Sequence, residues 1–131
     1  MSAYASAKQA YTESAIMTAS PGRLVVMLYD GALVALRQSA AAMRAGERER
    51  SRMRMRKAEA IIDELNTTLD LSQGEVAHRL RAIYNFSKRH LIHANVKMDP
   101  AAIDTVVSLL AELRDAWDQA ARIGEQANAA A

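Results

Sequence analysis

Apolar positions recur at spacings of three and four along most of this chain, and the recurrence resets wherever Gly or Pro falls. From Leu24 to Met43 nearly every position is apolar, with charge confined to the stripe Arg23, Asp30, Arg37 and Arg44. A helix of that kind must be covered on several sides. Ser20 followed by Pro21 predicts where it starts, because the hydroxyl caps an unpaired amide and proline has none to leave unpaired. Gly46 predicts its end. A second helix carries Met55, Ala58, Ile61, Ile62, Leu65 and Leu69. The alternating Arg and Met residues from Arg48 to Arg56 also fit a strand, but Met55 continues the helical spacing and both residue types favour helix. Ser72-Gln73-Gly74-Glu75 reads as a capping box that opens a third helix. Val76, Leu80, Ile83, Ser87, Leu91 and Ala94 trace one face of it, widened by Tyr84 and Ile92. Asp99 and Pro100 repeat the cap-and-proline arrangement before a fourth helix, with Ile103, Val106, Leu110, Leu113, Trp117 and Ala120 inward. Val107, Leu109, Ala116 and Ile123 lie off that line.

Short connections force sequential helices to run antiparallel. The expected fold is all-α: an up-down-up-down four-helix bundle over residues 20–124, with an N-terminal arm over 1–19 and an alanine-rich tail over 125–131 that frays. Tyr4 and Tyr11 in the arm are seven residues apart and share a face if it coils. The first and fourth helices carry more apolar surface than one contact uses, which points to a groove for another chain or a self-association face. Monomer and weak homodimer both fit.

With 131 residues, 50% of them hydrophobic and 24% charged, the chain is one domain with a core of its own, and wholesale disorder is excluded. The absence of Cys excludes a disulfide scaffold, a thiolate zinc site and a Cys nucleophile, and fits a reducing compartment. A cytoplasmic protein is therefore expected. Because charges interrupt the most apolar stretch, no membrane span is expected, and the N-terminus lacks the pattern of a signal peptide.

Seventeen Lys and Arg against fifteen Asp and Glu leave a net charge of only +2, yet seven basic and two acidic residues crowd between Arg44 and Lys57. That cluster is a solvated helix end or a patch for an acidic partner. Nucleic-acid binding is not expected from it, since no aromatic residue interleaves with the arginines, only Met among large apolar ones, and single-strand binders use aromatic platforms. Glu75 and His78 have the E-x-x-H spacing of di-iron bundles, which need two such motifs; only one is present, so no metal or other cofactor is expected. His93 with Lys97 one turn on raises phosphotransfer, but the H-x-x-K-G pattern is not met. No nucleophile with its base, phosphate-cradling loop or dinucleotide fingerprint is visible, so no enzyme is expected. Trp117 is readable either as a core anchor or as a groove wall.

The run from Thr18 to Ala32, Thr-Ala-Ser-Pro-Gly-Arg-Leu-Val-Val-Met-Leu-Tyr-Asp-Gly-Ala, closely resembles the opening helix of the FliS family of flagellin-specific export chaperones. The likeness extends from Tyr11 to Trp117 through Lys57, Ala58, Ile61, Ile62, Glu64, Leu65, Leu69, Asp70, Gly74, Glu75, Tyr84, Ala94, Asn95, Leu113 and Arg114. It departs at the single Gly74, at Asn85-Phe86-Ser87, and in the Arg-rich start of the second helix. The resemblance implies a helical bundle that binds the C-terminal segment of flagellin, prevents its early polymerisation and passes it to a component of the flagellar type III export gate, with a regulatory or co-chaperone protein as a further partner. It also implies that the arm covers part of the client surface, with Tyr4 and Tyr11 in that role. Client anchors are expected along Ile61, Leu65, Leu69, Tyr84, Leu91, Val107 and Leu109, with Asn95 bonding client backbone. The alternative is a helical adaptor for a different secreted client.

Overall fold

Local chemistry sets most of the helix boundaries. The computed structural model describes residues 19–130 and contains α1 (Pro21–Arg44), α2 (Arg48–Thr67), α3 (Glu75–Lys97) and α4 (Pro100–Ala130), with one 3-10 turn at Leu71–Gln73. The arm residues Tyr4 and Tyr11 lie outside the described residues. At the start of α1 the Ser20 hydroxyl accepts the Arg23 amide at 3.2 Å, as its position before Pro21 predicts. At the end, Gly46 turns the chain at φ +77°, in the left-handed region that glycine enters without steric cost. The Arg-Met alternation at the start of α2 is helical.

The start of α3 differs from expectation. Ser72 does not cap it; instead the Asp70 carboxylate accepts the Ser72 hydroxyl at 2.6 Å and the Ser72 amide at 3.0 Å. The Ser72 hydroxyl first, then Gln73 and the Ser72 amide, hold the Asp70 carboxyl below the usual carboxylate range. Gly74 sits at φ +106°, a left-handed value closed to most residues, so the helix starts only at Glu75 and the reciprocal box has no room to form. Glu75 accepts Arg79 at 2.7 Å instead.

Each helix packs against its sequential neighbours and α1 also packs against α4, which closes an antiparallel ring. Contacts of α1 with α2 and α4 are extensive, whereas α3 is held more lightly. Ten residues of α1 are buried against six of α3, in keeping with the nearly continuous apolar run of the first helix. By length and composition α1 is apolar enough to cross a membrane, a character it shares with buried core helices, and here it packs against both α2 and α4. Tyr29, Leu36, Ile62, Leu91, Ile103 and Leu110 fill the core. Gly31 lets α1 and α2 approach closely, since a Cβ there would lie 3.3 Å from Ile61 Cδ1.

Two pairs of polar side chains inside the bundle bond to each other. The Ser39 hydroxyl donates to the Ser51 carbonyl at 2.9 Å while the Ser51 hydroxyl donates to the Ser39 carbonyl at 3.0 Å, fixing α1 against α2 in one register. Between α1 and α3 the buried hydroxyls of Tyr29 and Tyr84 stand 2.5 Å apart. Burial, then the hydrogen bond between them, pushes the Tyr29 phenol well above its ordinary range. Replacing Tyr29 alone strands the Tyr84 hydroxyl away from water. Tyr29→Phe is therefore expected to cost about 1–3 kcal/mol in urea unfolding. Tyr29→Phe with Tyr84→Phe should recover most of that loss; a double variant at least as unstable as the sum of the singles would contradict the pairing.

Beyond Gly124, in the tail expected to fray, α4 continues as helix to Ala130. Alanine is the strongest helix former and one Gly costs only about 1 kcal/mol relative to it. Arg23 also fastens this segment to α1, donating to Glu125 at 3.1 Å and to Asp118 at 2.6 Å. Asp118 further pairs with Arg122 at 3.0 Å. The Arg23 hydrogen bond, with Arg122 and Arg114 beside it, holds the Asp118 carboxyl below its ordinary range. The inward line of α4 steps from Trp117 to Ala121, which is buried, rather than to Ala120, which is exposed.

Candidate functional site

The sharp turn at Asp70–Gly74 ends α2 and begins α3, and at that end of the bundle the four helices leave a groove of about 380 Å³. Val25 of α1, Leu65 of α2, Leu69 of the turn that follows it, Val76, Leu80 and Tyr84 of α3 and Trp117 of α4 line it, with Thr68, Asp70 and Gln73 adding polar groups. Val76, Leu80 and Trp117 carry it into a second hollow of about 290 Å³ with Leu113, Ala116 and Ala120. Trp117 and Ala120 also border a third of about 300 Å³, which Ser20, Gly22, Gly124 and Asn128 help to line. One half-buried indole thus joins three adjoining hollows, so the groove-wall reading of Trp117 is the one its surroundings support. Val76 is 69% exposed although its spacing predicts a core position, because α2 has already ended beside it.

The expected client-facing residues do not converge on one surface. Leu65, Leu69 and Tyr84 line this groove, but Leu65 and Tyr84 expose only 2% and 1% of their surface, so they form its floor. Leu91 is fully buried in the core, its face of α3 closed over by neighbouring helices. Ile61 is half-buried against Gly31, while Val107 and Leu109 are half-buried along α4. Asn95 sits elsewhere, in a hollow of about 250 Å³ with Arg52, Met55, Arg56 and Glu59. Val25, Val76, Leu80 and Leu113 are groove residues that the apolar pattern does not single out, since periodicity marks an inward face without marking where that face lacks a neighbour.

The residues weighed for chemistry are spread apart. Glu75 is engaged by Arg79, and His93 lies exposed on α3 with its ring 6.0 Å from that of His90. What the groove offers is open apolar surface with few polar groups, suited to receiving apolar side chains from another polypeptide.

Comparison with known proteins agrees with this geometry. The family described as "Flagellar protein FliS" matches residues 3–124. The flagellar secretion chaperone FliS of Bacillus subtilis is 38% identical over 85% of this chain and 83% of its own length. The protein of the same name from Salmonella typhimurium is 38% identical over 85% of this chain and 84% of its own. That of Escherichia coli is 36% identical over 82% and 80%. With a bundle open at one end, an apolar groove around a single indole and relatives spanning most of its length, the chain belongs to the FliS family.

Proposed function

We propose that this protein is a flagellar secretion chaperone that holds the C-terminal segment of flagellin in the groove around Trp117, keeps it from polymerising in the cytoplasm, and hands it to the flagellar export gate. FliS is a chaperone family rather than an enzyme family. The observation that carries the reading for this chain is the run of three adjoining hollows joined by Trp117. A client segment laid along them buries its apolar side chains against Val76, Leu80, Leu113 and the indole, without requiring the bundle to unfold. Ordering a disordered tail costs free energy for every residue fixed, so an extended contact is needed, and connected hollows supply more length than one pocket.

Trp117 is the only tryptophan in the chain, so groove occupancy has a direct optical readout. Titration with the C-terminal segment of the flagellin from the same organism is expected to give one-to-one binding, a negative heat-capacity change, little dependence on salt and a blue shift of Trp117 emission. Saturable binding without any change in emission would remove the groove from the proposal. Absence of binding by a folded protein would remove flagellin and leave a different secreted client.

A further inference from the structure

The second surface lies at the other end of the bundle. The hollow that holds Asn95 is bordered by Arg52 and Arg56, and Arg52 is thirteen residues before the groove residue Leu65, about 20 Å along α2. Arg48, Arg52 and Arg56 recur every four residues, so their side chains form one ladder with rungs about 6 Å apart on a single side of the helix. All three are exposed, and none takes part in an ion pair among the described residues. Like charges four residues apart destabilise a helix, and an anion laid along the ladder relieves that repulsion. Across the hollow, α3 offers Asn95, a donor and acceptor for a peptide group, and beyond it Ile92 and Val96, which are 58% and 70% exposed.

We infer that this ladder and the neighbouring edge of α3 form a docking site for an acidic polypeptide segment, with Arg48, Arg52 and Arg56 engaging its carboxylates and Asn95 a backbone amide. Charge complementarity names the occupant, because arginine forks match carboxylates in pairs. Glu59 contributes the one carboxylate of the hollow, and burial pushes it above its ordinary range despite the charges of Lys88 and Arg56 nearby. A nucleic acid fits less well: the stacked rings of Phe86, His90 and His93 are the aromatic platform of α3, but Phe86 is nine residues from Asn95, half the helix circumference away. A membrane fits less well too, since the ladder borders a recess with a carboxylate in it rather than a flat cationic face.

The test uses the full chain and polyglutamate of about 20 residues as the probe, long enough to span the ladder's two helical turns. Arg48→Gln/Arg52→Gln/Arg56→Gln is compared with Arg50→Gln/Arg54→Gln/Lys57→Gln, which removes the same charge from the other sides of α2. Circular dichroism verifies that both remain folded. The ladder variant is expected to weaken binding about ten-fold or more and the control less than about three-fold, with Asn95→Ala falling between them. Equal losses would reduce the site to general positive charge and overturn it, as would failure of the wild-type protein to bind. Tighter, ladder-dependent binding to phosphatidylglycerol vesicles or to single-stranded RNA would overturn the assignment to a polypeptide.

Discussion

Val76→Asp is expected to weaken binding of the flagellin tail by roughly ten- to a hundred-fold while leaving the fold intact. Val76 is 69% exposed and lies where two of the hollows meet, so a carboxylate there places a charge in the path of an apolar client. The fold should tolerate it, because position 76 is in the first turn of α3, where a negative charge complements the helix dipole. The thermal midpoint should stay within about 3 °C of the wild type, as for an exposed substitution in a domain of this size. Ile123→Asp is the matched control: Ile123 is 67% exposed on α4 and lines none of the three hollows. Calorimetry on the two variants separates the cases. If both lose affinity equally, exposed apolar surface in general is being read rather than this groove.

At Leu65 the same substitution should have the opposite profile. Its surface is 2% exposed and its side chain closes the core beneath the groove, so Leu65→Asp forces an unpaired charge into the bundle. A loss of roughly 5–10 kcal/mol is expected, comparable to the whole stability of an ordinary domain, so the protein should be largely unfolded. Leu65→Ala, which only opens a cavity, should cost about 2–5 kcal/mol and leave a folded protein whose client affinity can be measured. Far-ultraviolet circular dichroism at room temperature decides between the outcomes. A folded Leu65→Asp protein that had lost only client binding would mean that position 65 faces the client and not the core.

These two positions also mark what could be read from the chain alone. Helix starts at Ser20–Pro21 and Asp99–Pro100 were legible because cap and proline act within one turn; the Asp99 carboxylate indeed accepts the Ala101 amide at 3.1 Å. The start of α3 was not, because Gly74 at φ +106° overrides a capping pattern that is otherwise complete. The all-α bundle followed from periodicity, and the resemblance carried by Thr18 to Ala32 pointed to the family that the wider comparison bears out. The groove itself was only half legible. Val76 and Leu91 lie on the same apolar face, yet one is largely exposed and the other enclosed. The difference is where α2 ends, at Thr67, and so which turns of α3 have a neighbour on that side. A pattern of spacings records direction around a helix but not the length of the helix packed against it. Asn95 was separable from the apolar groove for a related reason: it lies near the end of α3, beside the first half of α2, a distance that only the antiparallel pairing reveals.

The light packing of α3 gives the molecule an uneven distribution of opening free energies. Amide protons of α1, gripped from both sides, should exchange with solvent only through global unfolding, whereas those of the first turns of α3 should exchange through local excursions. Those turns carry Val76 and Leu80, so the most easily displaced helix is also a wall of the groove. If the groove holds the client as proposed, bulkier side chains are expected to be admitted by a small outward movement of α3, with the α1–α2 hairpin and its paired serines left as the fixed reference.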